Sequence, residues 1–290
     1  MRTNFSQFKL PVYTTTIFFL LIVFSIFVRA QDLGYSIFQG DEVNTVDFLY
    51  EMQPGINGLW EYLISQKRGP VQYMINIINV NLFGYINEEQ IRFPYLVFSV
   101  IALFSLYKLT KRVFDPATAL IASTLMAING LFIAFGRITQ YQSVMYFLIP
   151  FGIMLFIRAL NTKNNKTLLY SGLLMSFAFL THYDTLSVAP FFIAGFVGSI
   201  IREVYTDERE LNFGTLLHRL KTNFALVKSY FLKAILFFTA FLLPAMFYYI
   251  PFSVSITHLY LSSFLHIHLT LVSTHQLIQA QIPLSLTHLY

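Results

Sequence analysis

The 290-residue chain has no cysteine, one tryptophan and few charges, with only 11% of its residues being Asp, Glu, Lys or Arg. The missing cysteine excludes disulfides, thiolate nucleophiles and cysteine-bearing metal sites, and it leaves the redox compartment open. The scarcity of charge excludes an ordinary soluble domain, which carries about a quarter charged residues. Ionisable residues are also essentially missing from the centres of the apolar segments. Transporters and proton pumps usually place charges or broken helices there. What the chain has instead is apolar bulk: 56% hydrophobic residues, including 32 Phe and 18 Tyr.

A spanning helix needs about 20 mostly apolar residues, and the chain offers seven candidates. The first runs from Leu10 to Val28. Arg2 and Lys9 precede it and Val28-Arg29-Ala30 resembles a cleavage site, so it reads as an anchor or as a signal peptide, the anchor preferred. A polar stretch, Arg29 to Phe93, follows. Then come Pro94 to Tyr107, Ala117 to Phe135, Ser143 to Ile157, Leu168 to Phe179 and Leu186 to Ile201. After a second polar stretch, Arg202 to Tyr230, the last candidate is Phe231 to Ile250. Residues 251–290, rich in Leu, Ser, Thr and His, have no assigned fold. The expected architecture is a single all-α polytopic membrane domain over residues 1–290, with a long first outer loop containing short interfacial helices.

Lys and Arg are retained on the cytoplasmic side of a membrane. With the N-terminus inside, 14 of the 19 basic residues face the cytoplasm, and only Arg29, Lys67, Arg68, Arg92 and Arg137 lie outside, with nine of the 14 acids. The net charge of +5 is therefore a topology signal, and nucleic acid is not an expected partner. The expected location is the plasma membrane, N-terminus cytoplasmic.

Four outer segments carry polar chemistry: the long loop, Arg137 to Gln142, His182 to Asp184, and whatever follows Pro251. Asp41-Glu42 opens the long loop, where adjacent carboxylates suit a general base and Asp41 equally suits a helix N-cap. Arg137 stands at the outer interface against the charge bias, which fits a phosphate bound through paired hydrogen bonds or a residue snorkelling to headgroups. Gln140, Tyr141 and Gln142 offer amides and a phenol suited to sugar or acceptor hydroxyls. Thr181-His182-Tyr183-Asp184 ends the fifth segment on the same face, and a lone histidine there also fits simple packing. His266 and His268 have no accompanying carboxylate, so a zinc site is not expected.

Taken in order, these pieces resemble the GT-C membrane glycosyltransferases, in particular the group of protein O-mannosyltransferases and aminoarabinose transferases. Four motifs carry the resemblance over residues 10 to 250: Asp41-Glu42; the run from Asn87 through Glu88, Glu89 and Arg92 to Pro94; Arg137 followed by Ser143; and Phe179-Leu180-Thr181-His182-Tyr183. The resemblance implies transfer of a sugar from a polyprenyl-phosphate donor to an acceptor on the outer face, with inversion. Asp41 is then the base, with Glu42 beside it. Arg137, His182 and Arg92 hold the donor phosphate, and Gln140, Tyr141, Gln142, Tyr183 and Asp184 contact substrate. Neither cofactor nor metal is expected; the partners are the lipid-linked sugar, membrane lipids and an acceptor of unassigned chemistry. Relatives often have an acid at the position of Gln142 and a lysine at that of His182, and they continue past residue 290. The competing readings are a flippase for the same lipids, and an inactive binding subunit or fragment of a split transferase.

Overall fold

A computed structural model describes residues 11–51, 69–84, 86–204 and 222–281. All regular structure among them is helical. The helices are α1 (Pro11–Ala30), α2 (Asp41–Glu51), α3 (Pro70–Phe83), α4 (Glu88–Val113), α5 (Pro116–Ile128), α6 (Gly130–Phe135), α7 (Tyr141–Thr162), α8 (Asn165–Thr181), a 3₁₀ turn (Tyr183–Val188), α9 (Ala189–Val204) and α10 (Phe224–Gln281). Of the short interfacial helices expected in the first outer loop, any over residues 52–68 lies outside the described residues.

Among the described residues five segments are long and apolar enough to cross a membrane: Tyr13–Ala30, Glu88–Val113, Tyr141–Thr162, Tyr183–Val204 and Phe224–Pro251. The other two expected spans take a different form. The 117–135 segment is broken at Asn129, whose side chain leaves α5 to accept the amide of Phe132 and cap α6. The 168–179 segment is the 17-residue helix α8.

Helix α4 starts at Glu88, six residues before the expected Pro94. Asn87 caps it by accepting the Gln90 amide at 2.8 Å. Pro94 is thus inside the helix, where its missing N–H leaves the carbonyl of Gln90 without its helical donor. Asn79 on α3 supplies one instead, Nδ2 donating to Gln90 O at 2.7 Å. The proline is tolerated because a neighbouring helix fills the gap, and that bond fixes α3 against α4.

The spanning helices form a row in which α1 and α5 flank α4, α4 packs on α7, α7 on α8, and α8 on α10, with α9 against α10 and α7. Small residues bring the backbones close, the usual device where lipid removes any hydrophobic drive between helices. A Cβ on Gly172 of α8 would lie 2.7 Å from Phe237 O and 2.8 Å from Ala240 Cβ of α10. Ser171 Oγ donates to Gly152 O of α7 at 2.7 Å. Two apolar clusters fill the row. One lies around Phe18, Leu103 and Phe132, the other around Phe156, Met175, Phe192 and Phe237.

The helices alternate in direction, so the bundle has two unlike ends. The C-terminus of α1, the N-termini of α4 and α7 and the C-terminus of α8 share one end with α2 and α3; we call it the loop end. A third cluster, with Val46, Leu49, Tyr73, Ile91, Leu180 and Tyr248, joins α2 and α3 to the bundle there. Gly69 makes this docking possible, since a Cβ at that position would sit 1.7 Å from Leu180 O. At the opposite, basic end Lys163 pairs with Glu203 at 3.0 Å, Tyr230 OH donates to Glu203 at 2.7 Å and Arg202 reaches Asn161. Asp115 caps α5 there; the Thr118 hydroxyl and amide, followed by the Ala117 amide, hold its carboxyl below the ordinary range.

Candidate active site

At the loop end the adjacent acids Asp41 and Glu42 have opposite environments. Gly40, at φ +56°, turns the chain into α2. Asp41 is the first residue of the helix, not its cap, and it is exposed. Glu42 is 3% exposed. Its Oε1 accepts from Arg92 Nε at 2.9 Å and from the Thr139 amide at 2.8 Å, and its Oε2 from Arg92 Nη2 at 2.8 Å. The arrangement is a two-pronged, fully desolvated ion pair with a third donor.

Arg92 is 0% exposed, and each of its five N–H groups has a partner. Besides Glu42 these are the carbonyls of Leu33, Ser36 and Ile37 in the loop after α1. The guanidinium thus spends all its donors on Glu42 and the carbonyls of the first loop. Glu42, with both oxygens taken and almost no exposure, is not a base open to an acceptor. The acid pair is divided between an accessible carboxylate and one that organises the loop.

Behind this pair runs a buried polar chain. Asn76 Nδ2 donates to Thr45 O at 3.0 Å, Tyr95 OH donates to Asn76 Oδ1 at 2.8 Å, and Gln72 Nε2 donates to Thr139 O at 3.0 Å. It ties α2, α3, α4 and the 136–140 turn into one unit. Buried polar groups are costly unless bonded, so these bonds specify how the loop sits on the bundle.

The 136–140 turn carries the other expected residues. Arg137 Nη2 donates to Gln31 O at 2.9 Å and Asp32 O at 3.1 Å. Its guanidinium lies 5.1 Å from the Tyr35 ring, which Arg92 also approaches at 5.1 Å. Arg137 is half-buried, and its Nη1 has no partner among the described residues. Next along, Gln140 Nε2 reaches Asp41 Oδ2 at 3.4 Å. Tyr141 stacks on His182 with centroids 3.9 Å apart and planes 3° from parallel. The Oε1 of Gln142 is buried without a hydrogen-bond partner.

His182 is 8% exposed and caps the 3₁₀ turn, its Nδ1 accepting from the Asp184 amide at 3.3 Å. The same nitrogen is 3.1 Å from Asp184 Oδ2. Without a proton it serves the amide, and with one it serves the carboxylate. Tyr183 flanks the imidazole at 4.1 Å and is 58% exposed. The N-terminus of α7 thus stands between two acids: Gln140 touches Asp41, and Tyr141 touches His182, which touches Asp184. Tyr35, Gln72 and the Thr139 amide were invisible in the sequence, because cation–π and backbone contacts leave no motif. Among the described residues no three His, Asp or Glu side chains converge on one point.

A family model described as dolichyl-phosphate-mannose-protein mannosyltransferase matches residues 67–207. Among solved structures, the chain is similar to the archaeal oligosaccharyltransferase AglB from Archaeoglobus fulgidus in complex with an inhibitory peptide and a dolichol-phosphate. The TM-score is 0.55 at 15% identity, covering 95% of this chain and 39% of that one. An Archaeoglobus fulgidus oligosaccharyltransferase in its apo form matches at TM-score 0.51 and 17% identity, over 86% of this chain and 34% of that one. The same enzyme's complex with zinc and sulfate matches at TM-score 0.51 and 15% identity, over 89% and 40%. Among curated proteins none matches. The family match covers just under half of the chain, and the structures, all under 25% identical, share its fold. The chain spans about two fifths of the length of the structures it matches.

Proposed function

We propose that this protein transfers a sugar from a polyprenyl-phosphate donor to an acceptor at the loop end, with inversion and with Asp41 as the base. The observation that carries the reading is the division of the acid pair: Glu42 is locked by Arg92, while Asp41 stays exposed within reach of Gln140. An exposed carboxylate takes a proton from an acceptor hydroxyl, and the hydroxyl oxygen then attacks the anomeric carbon opposite the phosphate. The leaving group is an ionised lipid phosphate that requires positive charge more than a proton, and Arg137 Nη1 is the group available to supply it. Tyr141, Gln142, Tyr183 and Asp184 border this space and take substrate hydroxyls; His182 positions Tyr141 and Asp184. The test is to supply purified protein in nanodiscs with a polyprenyl-phosphate sugar and a hydroxyl acceptor. The reading expects release of polyprenyl phosphate and a product of inverted anomeric configuration, seen by NMR. A product of retained configuration contradicts it.

The donor set argues for transfer without a metal. A hard divalent cation prefers several oxygen ligands, carboxylates included, yet Glu42 is spent on Arg92 and Asp184 contacts His182. Gln140, in the turn before α7, brings an amide and not a carboxylate to Asp41. Excess EDTA is therefore expected to leave turnover unchanged. A loss that magnesium, manganese or zinc restores contradicts this.

Orientation follows from the unlike ends. The basic end is proposed to face the cytoplasm and the loop end the opposite side of the plasma membrane. Because the chain lacks cysteine, single cysteines at Asn44 and Lys166, both exposed, report this directly. An impermeant maleimide applied to intact cells is expected to label position 44 and not 166; the reverse pattern overturns the topology.

A further inference from the structure

A cavity opens at the loop end, beside the N-terminal turns of α4. It measures about 250 Å³ and is lined by Asn79, Phe83, Asn87, Glu89, Gln90 and Phe93. Drug-sized ligand pockets run from about 300 to 1,000 Å³, so this space fits one ring-sized molecule.

Its walls are of two kinds. Phe83 and Phe93 present rings that are 52% and 49% exposed. Between them lie polar groups with capacity to spare. Asn79 and Gln90 use their amide nitrogens on each other's backbone carbonyls, at 2.7 and 3.4 Å, which leaves both side-chain oxygens unengaged. Asn87 spends its oxygen on the Gln90 amide and keeps its NH₂. Glu89 is exposed and has no ion pair among the described residues. The inventory is thus one amide donor pair, two amide acceptors and a carboxylate, set between two aromatic faces.

Each candidate ligand class meets this inventory differently. A phosphate is repelled by Glu89 and finds no cation. A lipid tail wastes four polar groups, two of them on residues less than 8% exposed. A sugar ring satisfies both walls, because its C–H faces lie on the aromatic rings while its hydroxyls donate to Gln90, Asn79 and Glu89 and accept from Asn87. We propose that this cavity is a saccharide subsite that holds an acceptor glycan. The assignment of the glycan as acceptor rests on the transferase reading above; the binding of sugar does not. The cavity adjoins the candidate active site through the loop after α1. A Cβ on Gly34 would lie 3.7 Å from Glu89 Cβ, and the neighbouring carbonyl of Leu33 is held by Arg92.

The test is saturation-transfer NMR on the full chain in nanodiscs without any donor lipid, with methyl α-mannoside, methyl β-glucoside and methyl β-N-acetylglucosaminide as probes. At least one probe is expected to receive magnetisation at its ring protons. Phe83→Ala and Glu89→Ala, both at exposed positions, should each weaken its binding about tenfold or more, the loss expected for a charged hydrogen bond or a ring face. No transfer to any probe overturns the proposal, as does binding undiminished in both variants, or a phospholipid chain seen between Phe83 and Phe93 in a nanodisc structure. Sugar binding in a protein that releases no polyprenyl phosphate removes the acceptor role and leaves the subsite standing.

Discussion

Arg92→Met is expected to destabilise the protein by about 3–5 kcal/mol, the usual cost of removing one partner from a buried ion pair. The substitution strands the Glu42 carboxylate at 3% exposure with only the Thr139 amide as a close donor, and it frees three carbonyls of the loop after α1. Glu42→Leu strands the guanidinium in the same way. The double substitution removes both charges and should recover much of the loss, since apolar replacement of a whole pair is often close to neutral. It should not restore the loop, because the bonds to Leu33, Ser36 and Ile37 remain absent. Thermal unfolding in detergent, with protease sensitivity of residues 31–40 as the local probe, measures both effects. If Arg92→Met melts within a degree or two of the parent, the pair is not what holds the loop to the bundle.

Asp41→Asn is expected to slow transfer by about two to four orders of magnitude, the typical contribution of a positioned general base. The change is nearly isosteric at an exposed position, and an asparagine can still meet Gln140. Folding and donor binding should therefore persist while proton removal is lost. The contrast with Glu42 sharpens this prediction. Neighbouring acids in sequence should fail differently, Asp41 in rate alone and Glu42 first in stability.

Much of this was legible in the sequence. Apolar length located the helices of the row, and the segments at Asp41, 137–142 and 182–184 lie side by side at one end. What stayed hidden depended on partners far away in the chain. The apolar run opens at Pro94, yet the helix begins at Glu88, because Asn79 supplies the donor that lets Pro94 sit inside α4. Asn129 breaks a segment that reads as continuously apolar, because its side chain caps the following helix. Only the resemblance chose Asp41 over Glu42, since adjacency says nothing about which faces the core; the α2 register and Arg92, fifty positions on, separate their environments. For the same reason the sequence does not show that Arg92 meets carbonyls and an acid of the first loop. The tail beyond Pro251 gave no architecture from composition, and α10 runs through Gln281.

The most direct measurement of the central claim is single-turnover transfer from a polyprenyl-phosphate sugar in nanodiscs, with donor binding measured on the same preparations of parent and Asp41→Asn protein. The account predicts that the parent releases polyprenyl phosphate, and that the variant binds the donor with similar affinity and is slower by at least about a hundredfold. Near-parental release from the Asp41→Asn protein contradicts it.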